Sequence, residues 1–346
     1  MVVRLSRHHL LVLLCGLLAA LTLTTPALAA PAPAGPVPTG PTRAEAAAGW
    51  LARQLVDGER LEVVFDGVAY PDQGLTLDAV LAFAAAGVAD DFGASALAWV
   101  TRPDIRDGYV GDGSTEAYAG ATAKLALAVA VRGADPTDVG GVDLTARLRS
   151  LQSTDGRFTD RSAFGDYSNA FSQSLAILAL HRTAPGVPPA AASWLAGTRC
   201  ADGGYPLLPA QPVCTSDVDA TALAVQALRA AGRPADAAAG LRWLVSVQGT
   251  DGGFGNANST GLAAQALRAG GRPLAWARAR TFLTGLQVGC AGAPADRGAV
   301  DFDGGTFDPQ TAVRATAQAV LGLTGTGYAQ LSATGATAGA PVTSCP

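Results

Sequence analysis

The sequence predicts an all-α protein, an α6/α6 toroid in which six helical hairpins close into a ring. Three observations carry this: a unit of about 48 residues recurs six times, each copy ends in an alanine-rich helical stretch, and the first and last copies are no more polar than the middle ones. An open solenoid needs polar end caps, whereas a closed ring does not.

Each unit opens with an outer helix that ends in Gln-x-x-x-Gly, as Gln54 to Gly58, Gln152 to Gly156 and Gln248 to Gly252. Arg199 to Gly203 has the same spacing with Arg in place of Gln. An aromatic residue follows the glycine by two at Phe158, Tyr205 and Phe254. The second copy is degenerate, running from Arg102 to Gly108-Tyr109. The sixth reads as carrying an insertion between Gln287 and Gly304-Gly305-Thr306-Phe307. Glycine in these turns takes positive φ and stops the helix. The second, inner helices are expected over 76–86, 114–132, 167–182, 217–231, 258–269 and 308–324. Ser216-Asp217 and Asn258-Ser259 read as N-caps, and Gly87, Gly133, Gly186, Gly232, Gly270 and Gly325 as stops. Alanine favours helix and lets neighbouring helices approach closely. Trp50, Trp99, Trp194, Trp243 and Trp276 read as outer-layer packing.

Composition narrows the function. The chain has 346 residues, 49% of them hydrophobic and only 15% charged, with a net charge of −4. It is too hydrophobic to be a disordered acidic chain. Acidic residues are in excess, and Lys124 is the single lysine. No basic face for nucleic acid or anionic lipid is expected. His181 is the only histidine beyond His8 and His9, so a Ser-His-Asp triad or a histidine-rich metal site is excluded, and no metal is expected.

Residues 1–29 read as a secretory signal peptide. Arg4 and Arg7 precede the apolar run 10–23, and Ala27-Leu28-Ala29 is a small-x-small cleavage site. Residues 30–43 form a proline-rich tether, 44–326 the toroid, and 327–346 a Ser/Thr/Ala/Gly-rich tail expected to be loosely ordered. The expectation is a secreted monomer with no membrane span in its mature part. Export makes disulfides plausible for Cys200, Cys214, Cys290 and Cys345. Of the three possible connectivities, the short loop favours Cys200–Cys214, leaving Cys290–Cys345 to hold the tail.

The Gln-x-x-x-Gly-x-aromatic units, and above all Asp202-Gly203-Gly204-Tyr205 and Asp251-Gly252-Gly253-Phe254, resemble the repeats of the squalene cyclase and protein prenyltransferase superfamily. The resemblance spans about 44–325 and implies an α/α toroid on its own account. The superfamily includes cyclases, transferases and binding proteins, so the repeat speaks to fold more than to function. The zinc-dependent prenyltransferases find no match, because His181 stands alone. Squalene-type cyclases use D-x-D-D-T-A, whose middle Asp protonates the substrate. Here Asp217-Val218-Asp219-Ala220-Thr221-Ala222 is similar, with Asp219 at the acid position and Ala220 in place of its partner. Inner helices such as 217–228, 256–267 and 167–180 are also similar to those of cobalamin carriers of the intrinsic factor and transcobalamin type. That resemblance makes cobalamin a possible ligand.

In a ring of hairpins all inner helices run parallel, so their N-termini meet at one mouth. The polar clusters fall there: Glu116 and Tyr118; Tyr167, Asn169 and Gln173; Asp217 and Asp219; Asn256, Asn258 and Thr260; Asp308 and Gln310. They read as candidate ligand contacts at the rim of a central pocket. The alternative is that they cap helices, most of all Ser216, Asn258 and Asp308. Asp219 falls inside the first helical turn. Buried there, its carboxyl could act as an acid, accept a ligand hydrogen bond, or simply favour the positive end of its helix. The function expected is binding of a small apolar or amphipathic ligand, isoprenoid-like or corrinoid-like. The alternatives are a terpene-cyclase-like enzyme using Asp219 and a non-catalytic cell-envelope interaction module.

Overall fold

The computed structural model describes residues 40–345. The stretches expected to be a signal peptide and, for nearly all of its length, a tether lie outside the described residues. Six inner helices carry the ring: α2 (Gln73–Ala86), α5 (Ala119–Val131), α7 (Ala170–His181), α9 (Val218–Ala230), α11 (Ala257–Ala269) and α13 (Pro309–Thr324). Each packs on the next, and α13 packs back on α2, which closes the ring. The outer layer is α1 (Arg43–Ala52), α3 (Asp90–Val100), α4 (Pro103–Val110), α6 (Leu144–Ser150), α8 (Pro189–Gly197), α10 (Pro234–Val247) and α12 (Pro273–Gly285). Two small antiparallel pairs lie between helices: β1 (Glu62–Phe65) with β2 (Val68–Pro71), and β3 (Tyr205–Pro206) with β4 (Ser216–Asp217).

The inner helices form where alanine and leucine dominate, and a polar side-chain cap starts all of them but α5, which begins after Tyr118. Asp72, Asn169, Asp217, Asn256 and Asp308 each accept a backbone N–H from the first turn of their helix. Such caps are worth about 1 kcal/mol apiece. The α11 cap differs from expectation. Asn256 caps it, so the helix starts at Ala257 and Asn258 falls inside the first turn. Small residues let the layer crowd: Gly261 of α11 and Gly322 of α13 pack backbone to backbone, with no room for a Cβ on either.

The repeat glutamines hold the two layers together. Gln248 Nε2 donates to the Gly252 carbonyl at 2.8 Å and to Ala275 of α12 at 2.9 Å. Gln287 does the same with Gly298 and with Arg43 of α1. The sixth unit therefore uses the first unit's outer helix as its neighbour, which is how the ring joins. This also moves the sixth turn. The repeat glycine is Gly298, not Gly304: its φ of 102° matches the 100°, 103° and 92° of Gly156, Gly203 and Gly252. Glycine is required because a Cβ would run into the backbone of the next outer helix, Ala190 at Gly156, Arg278 at Gly252 and Ala46 at Gly298. The insertion is the segment 288–297, between Gln287 and this glycine.

The tail is also not loose. Residues 326–342 cross the end of the ring where the inner helices finish. Arg182 donates to the carbonyls of Tyr328, Ala329 and Leu331, and the Ala333 and Thr337 N–H groups bond to Val131 and Gly87. Small polar residues suit this path because the segment pairs backbone with backbone. The disulfides are Cys200–Cys214 and Cys290–Cys345, with Cα separations of 5.5 and 5.6 Å. The second fixes the end of the tail. The tryptophans pack as the repeat implies: Trp50 is buried, and Trp276 donates to the Gly322 carbonyl beneath Arg268. Among the described residues no helix is long and apolar enough to cross a membrane.

Candidate functional site: the barrel lumen

One position in each inner helix sets the register. Thr76, Gln173, Thr221, Thr260 and Thr316 each accept a backbone N–H from the repeat turn outside their helix: Leu61, Phe158, Tyr205, Phe254 and Val300, at 2.8 to 3.0 Å. The equivalent Thr122 has no partner, because α4 replaces the turn in the degenerate second unit. Gln173 and Thr260 therefore face the outer layer and bind the fold, not a ligand. Gln173 also donates to the carbonyls of Gly156 and Ala191.

Residues two before and two after this position lie about 200° around the helix, on the opposite face. They line the lumen in layers. The mouth layer is Gly74, Gly120, Phe171, Asp219, Asn258 and Arg314. Below it come Asp78, Lys124, Leu175, Leu223, Leu262 and Gln318. One further turn down, Gln226 and Gln265 meet the buried Tyr328 of the tail.

Side-chain contacts match this order. Lys124 Nζ lies 2.7 Å from Asp78, and Arg314 reaches Asp72 at 3.1 Å and Asp78 at 3.9 Å. A charged wall thus runs over α13, α2 and α5. Phe171 and Leu175 make the α7 wall apolar. The Tyr328 N–H donates to Gln226 Oε1, and its hydroxyl lies beside Gln265 in the field of Asp78. Burial pushes that hydroxyl well above the usual tyrosine range, with Asp78 adding to it. Tyr328 is therefore the floor, and the lumen opens at the other end.

Asp219 is half-buried in the mouth layer, and its Oδ1 has no partner. Burial raises its carboxyl above the ordinary aspartate range; the Ser259 hydroxyl opposes this, and the charge of Asp217 adds to it. Asn258, at the equivalent place on α11, also has a buried Oδ1 without a partner. Two adjacent helices thus present hydrogen-bond acceptors that no donor of the protein pairs with. Unpaired buried acceptors cost free energy, so they ask for a donor.

The other sequence candidates hold the rim. Asp217 caps α9 through Ala220 N–H, Asn169 caps α7, Asn256 caps α11, and Asp308 caps α13 through Gln310 and Thr311 N–H. Tyr118 donates to Glu116 at 3.0 Å, and Glu116 accepts from Ala163 N–H, which ties two rim loops together. Bonds from Ser162, Ala163 and Tyr118 hold the Glu116 carboxyl below its usual range. Tyr167 and Gln310 are exposed above the mouth. Exposed Phe65, Val68, Tyr70, Phe164, Leu208 and Val213 make an apolar collar on the segments that lead into α2, α7 and α9. Sequence reasoning missed Asp78, Lys124 and Arg314. A charge in the apolar run Thr76-Leu77-Asp78-Ala79-Val80, and the single lysine of the chain inside an alanine-rich helix, were the available signals. Among the described residues no cluster of His, Cys, Asp or Glu could hold a metal ion.

No family model and no curated protein matches the chain. Solved structures do. A protein from Actinoplanes superimposes with a TM-score of 0.59 at 16% identity, over 82% of this chain and 98% of the other. The type II terpene cyclase MstE from Scytonema gives 0.57 at 17%, over 82% and 96%. Haptocorrin in complex with Cbi gives 0.51 at 16%, over 84% and 68%. At these identities the likeness shows fold and not activity. The chain has the α/α toroid fold that a terpene cyclase and a corrinoid-binding protein also have.

Proposed function

We propose that the protein is a secreted carrier that holds a small amphipathic molecule in the barrel lumen, entering at the mouth. The single observation behind this is the pair of unpartnered buried acceptors, Asp219 Oδ1 and Asn258 Oδ1, on adjacent helices at the entrance. They call for a ligand whose polar end donates hydrogen bonds, as hydroxyl, amine or amide groups do. The apolar α7 wall and the collar suit the rest of such a molecule. The two disulfides suit an oxidising compartment, which supports export. An isoprenoid alcohol fits this chemistry, and a corrinoid, rich in amides, is the alternative that the haptocorrin likeness suggests.

The cyclase reading draws on the raised Asp219 carboxyl and on the MstE likeness. The lumen composition weighs against it. A carbocation is sheltered by aromatic faces and captured by carboxylates, amines and amides. Here Asp78, Lys124, Gln318 and Gln265 crowd below Asp219, and the aromatic side chains beside these layers are few: Phe171 of α7, and Tyr109 of α4, whose hydroxyl lies against Gly74.

Native mass spectrometry of protein secreted by its own host should reveal a co-purified small molecule. Released and returned, that molecule should raise the melting temperature, and Asp219→Asn and Asn258→Leu should each weaken binding about tenfold or more. A clean apo mass, with no thermal shift from lipids, isoprenoids or corrinoids, would sink the carrier reading. Cyclic products from a polyprene that vanish in Asp219→Asn would establish the enzyme instead.

A further inference from the structure

A second cavity lies at the opposite end of the barrel, outside the Tyr328 floor, and owes nothing to the lumen reading. It measures about 400 Å³, within the range of small-molecule sites. His181 and Arg229 line it from the last turns of α7 and α9, Ala230 and Ala269 from the helix ends, and Ala329 and Gln330 from the tail. Gln226 forms part of its wall. That side chain is 3% exposed; its Oε1 is taken by the Tyr328 N–H, and its Nε2 has no partner. Arg229 makes no ion pair among the described residues, although Arg132, Arg157 and Arg233 all do.

The polar groups here are mainly donors: the Arg229 guanidinium, the His181 ring, the Gln226 amide and the Gln330 amide. The apolar part is three alanines, a patch that suits a short carbon chain. We propose that this cavity is a binding site for a small organic carboxylate, with its oxygens toward Arg229 and His181 and its carbon chain against Ala230, Ala269 and Ala329. Guanidinium matches a carboxylate with two parallel hydrogen bonds. The C-terminal ends of α7 and α9 carry partial negative charge, which the two basic residues must first offset. Losing either one should therefore release the anion. A bound carboxylate would also bridge α7 and α9 to the tail, because Ala329 and Gln330 close the cavity.

Succinate is the probe, titrated by calorimetry into the full secreted protein, with inorganic phosphate as a second arm. The expected result is saturable binding of succinate at one site. Arg229→Gln and His181→Ala should each weaken it about tenfold or more, while Asp219→Asn leaves it unchanged. His181 and Arg229 are exposed, so both variants should keep the parent's circular dichroism and melting curve. Absence of succinate binding, or binding as tight in either variant as in the parent, would overturn the site. Binding of phosphate without succinate would overturn the carboxylate assignment.

Discussion

The two ends of the barrel are built from the same six helices and behave in opposite ways. At the mouth the helices begin. Their positive ends attract Asp72, Asp217 and Asp308 as caps, and Asp219 sits just inside. At the other end they finish, and His181, Arg229 and Arg268 occupy last turns. Both distributions follow from one cause, the parallel alignment of six helix dipoles. The closure differs for another reason. The tail pairs its backbone with Arg182, Gln226, Val131 and Gly87 and fills the axis with Tyr328, whereas the mouth keeps two acceptors unpaired. One end is closed by the chain's own tail, although Gln226 Nε2 stays unpaired there, and at the other the helices begin with no such plug.

Removing the floor should have the largest effect. Tyr328→Ala empties a fully buried site and is expected to cost about 3–5 kcal/mol in urea unfolding. A cost under about 1 kcal/mol would mean that the tail does not plug the barrel. Breaking the charged wall comes next. Lys124→Met leaves Asp78, 4% exposed, with only the longer Arg314 contact at 3.9 Å, and about 3 kcal/mol should be lost. The Asp78→Leu, Lys124→Met double variant should recover much of that, since well-packed apolar pairs replace buried ion pairs at little cost. Paired Cys290→Ser and Cys345→Ser frees the tail and should cost about 2–4 kcal/mol, with faster hydrogen exchange at Ala333 and Thr337.

A smaller contrast tests the register. Thr260→Val strips the Phe254 N–H of its acceptor and should cost about 1–2 kcal/mol. Thr122→Val removes a hydroxyl that has no partner and should be neutral or stabilising. Equal costs would show that the layer assignment is wrong. The smallest effect belongs to Asp219. Its folded carboxyl titrates above its unfolded range, so the stability it adds is full at low pH and fades as pH rises through the folded value. Asp219→Asn should therefore be the more stable protein at neutral pH, and this advantage should shrink below the ordinary aspartate range. An advantage independent of pH would remove burial as the cause.

The hairpin count, the parallel inner helices and the common mouth were legible because periodicity and glycine spacing are local signals. Asp219 was legible for the same reason, by its place two residues after a capping aspartate. For Asn258 the sequence leaves two readings, ligand contact and cap; the helix start at Ala257, capped by Asn256, removes the second. Gly298 was missed because the aromatic marker two residues on is Val300, while Gly304-Gly305-Thr306-Phe307 imitates the repeat. The place of Gly298 is decided by hydrogen bonds outside the local pattern, from Gln287 to Arg43 and from Val300 to Thr316.

By itself the sequence determined the repeat, the helix polarity and the acidic rim, since each depends on neighbours within one or two turns. The tertiary structure decided what fills the axis. Asp78 and Lys124 stand 46 positions apart, and Tyr328 meets Gln226 across 102 residues. No local pattern encodes such pairs, because they exist only once six helices have closed around a common centre.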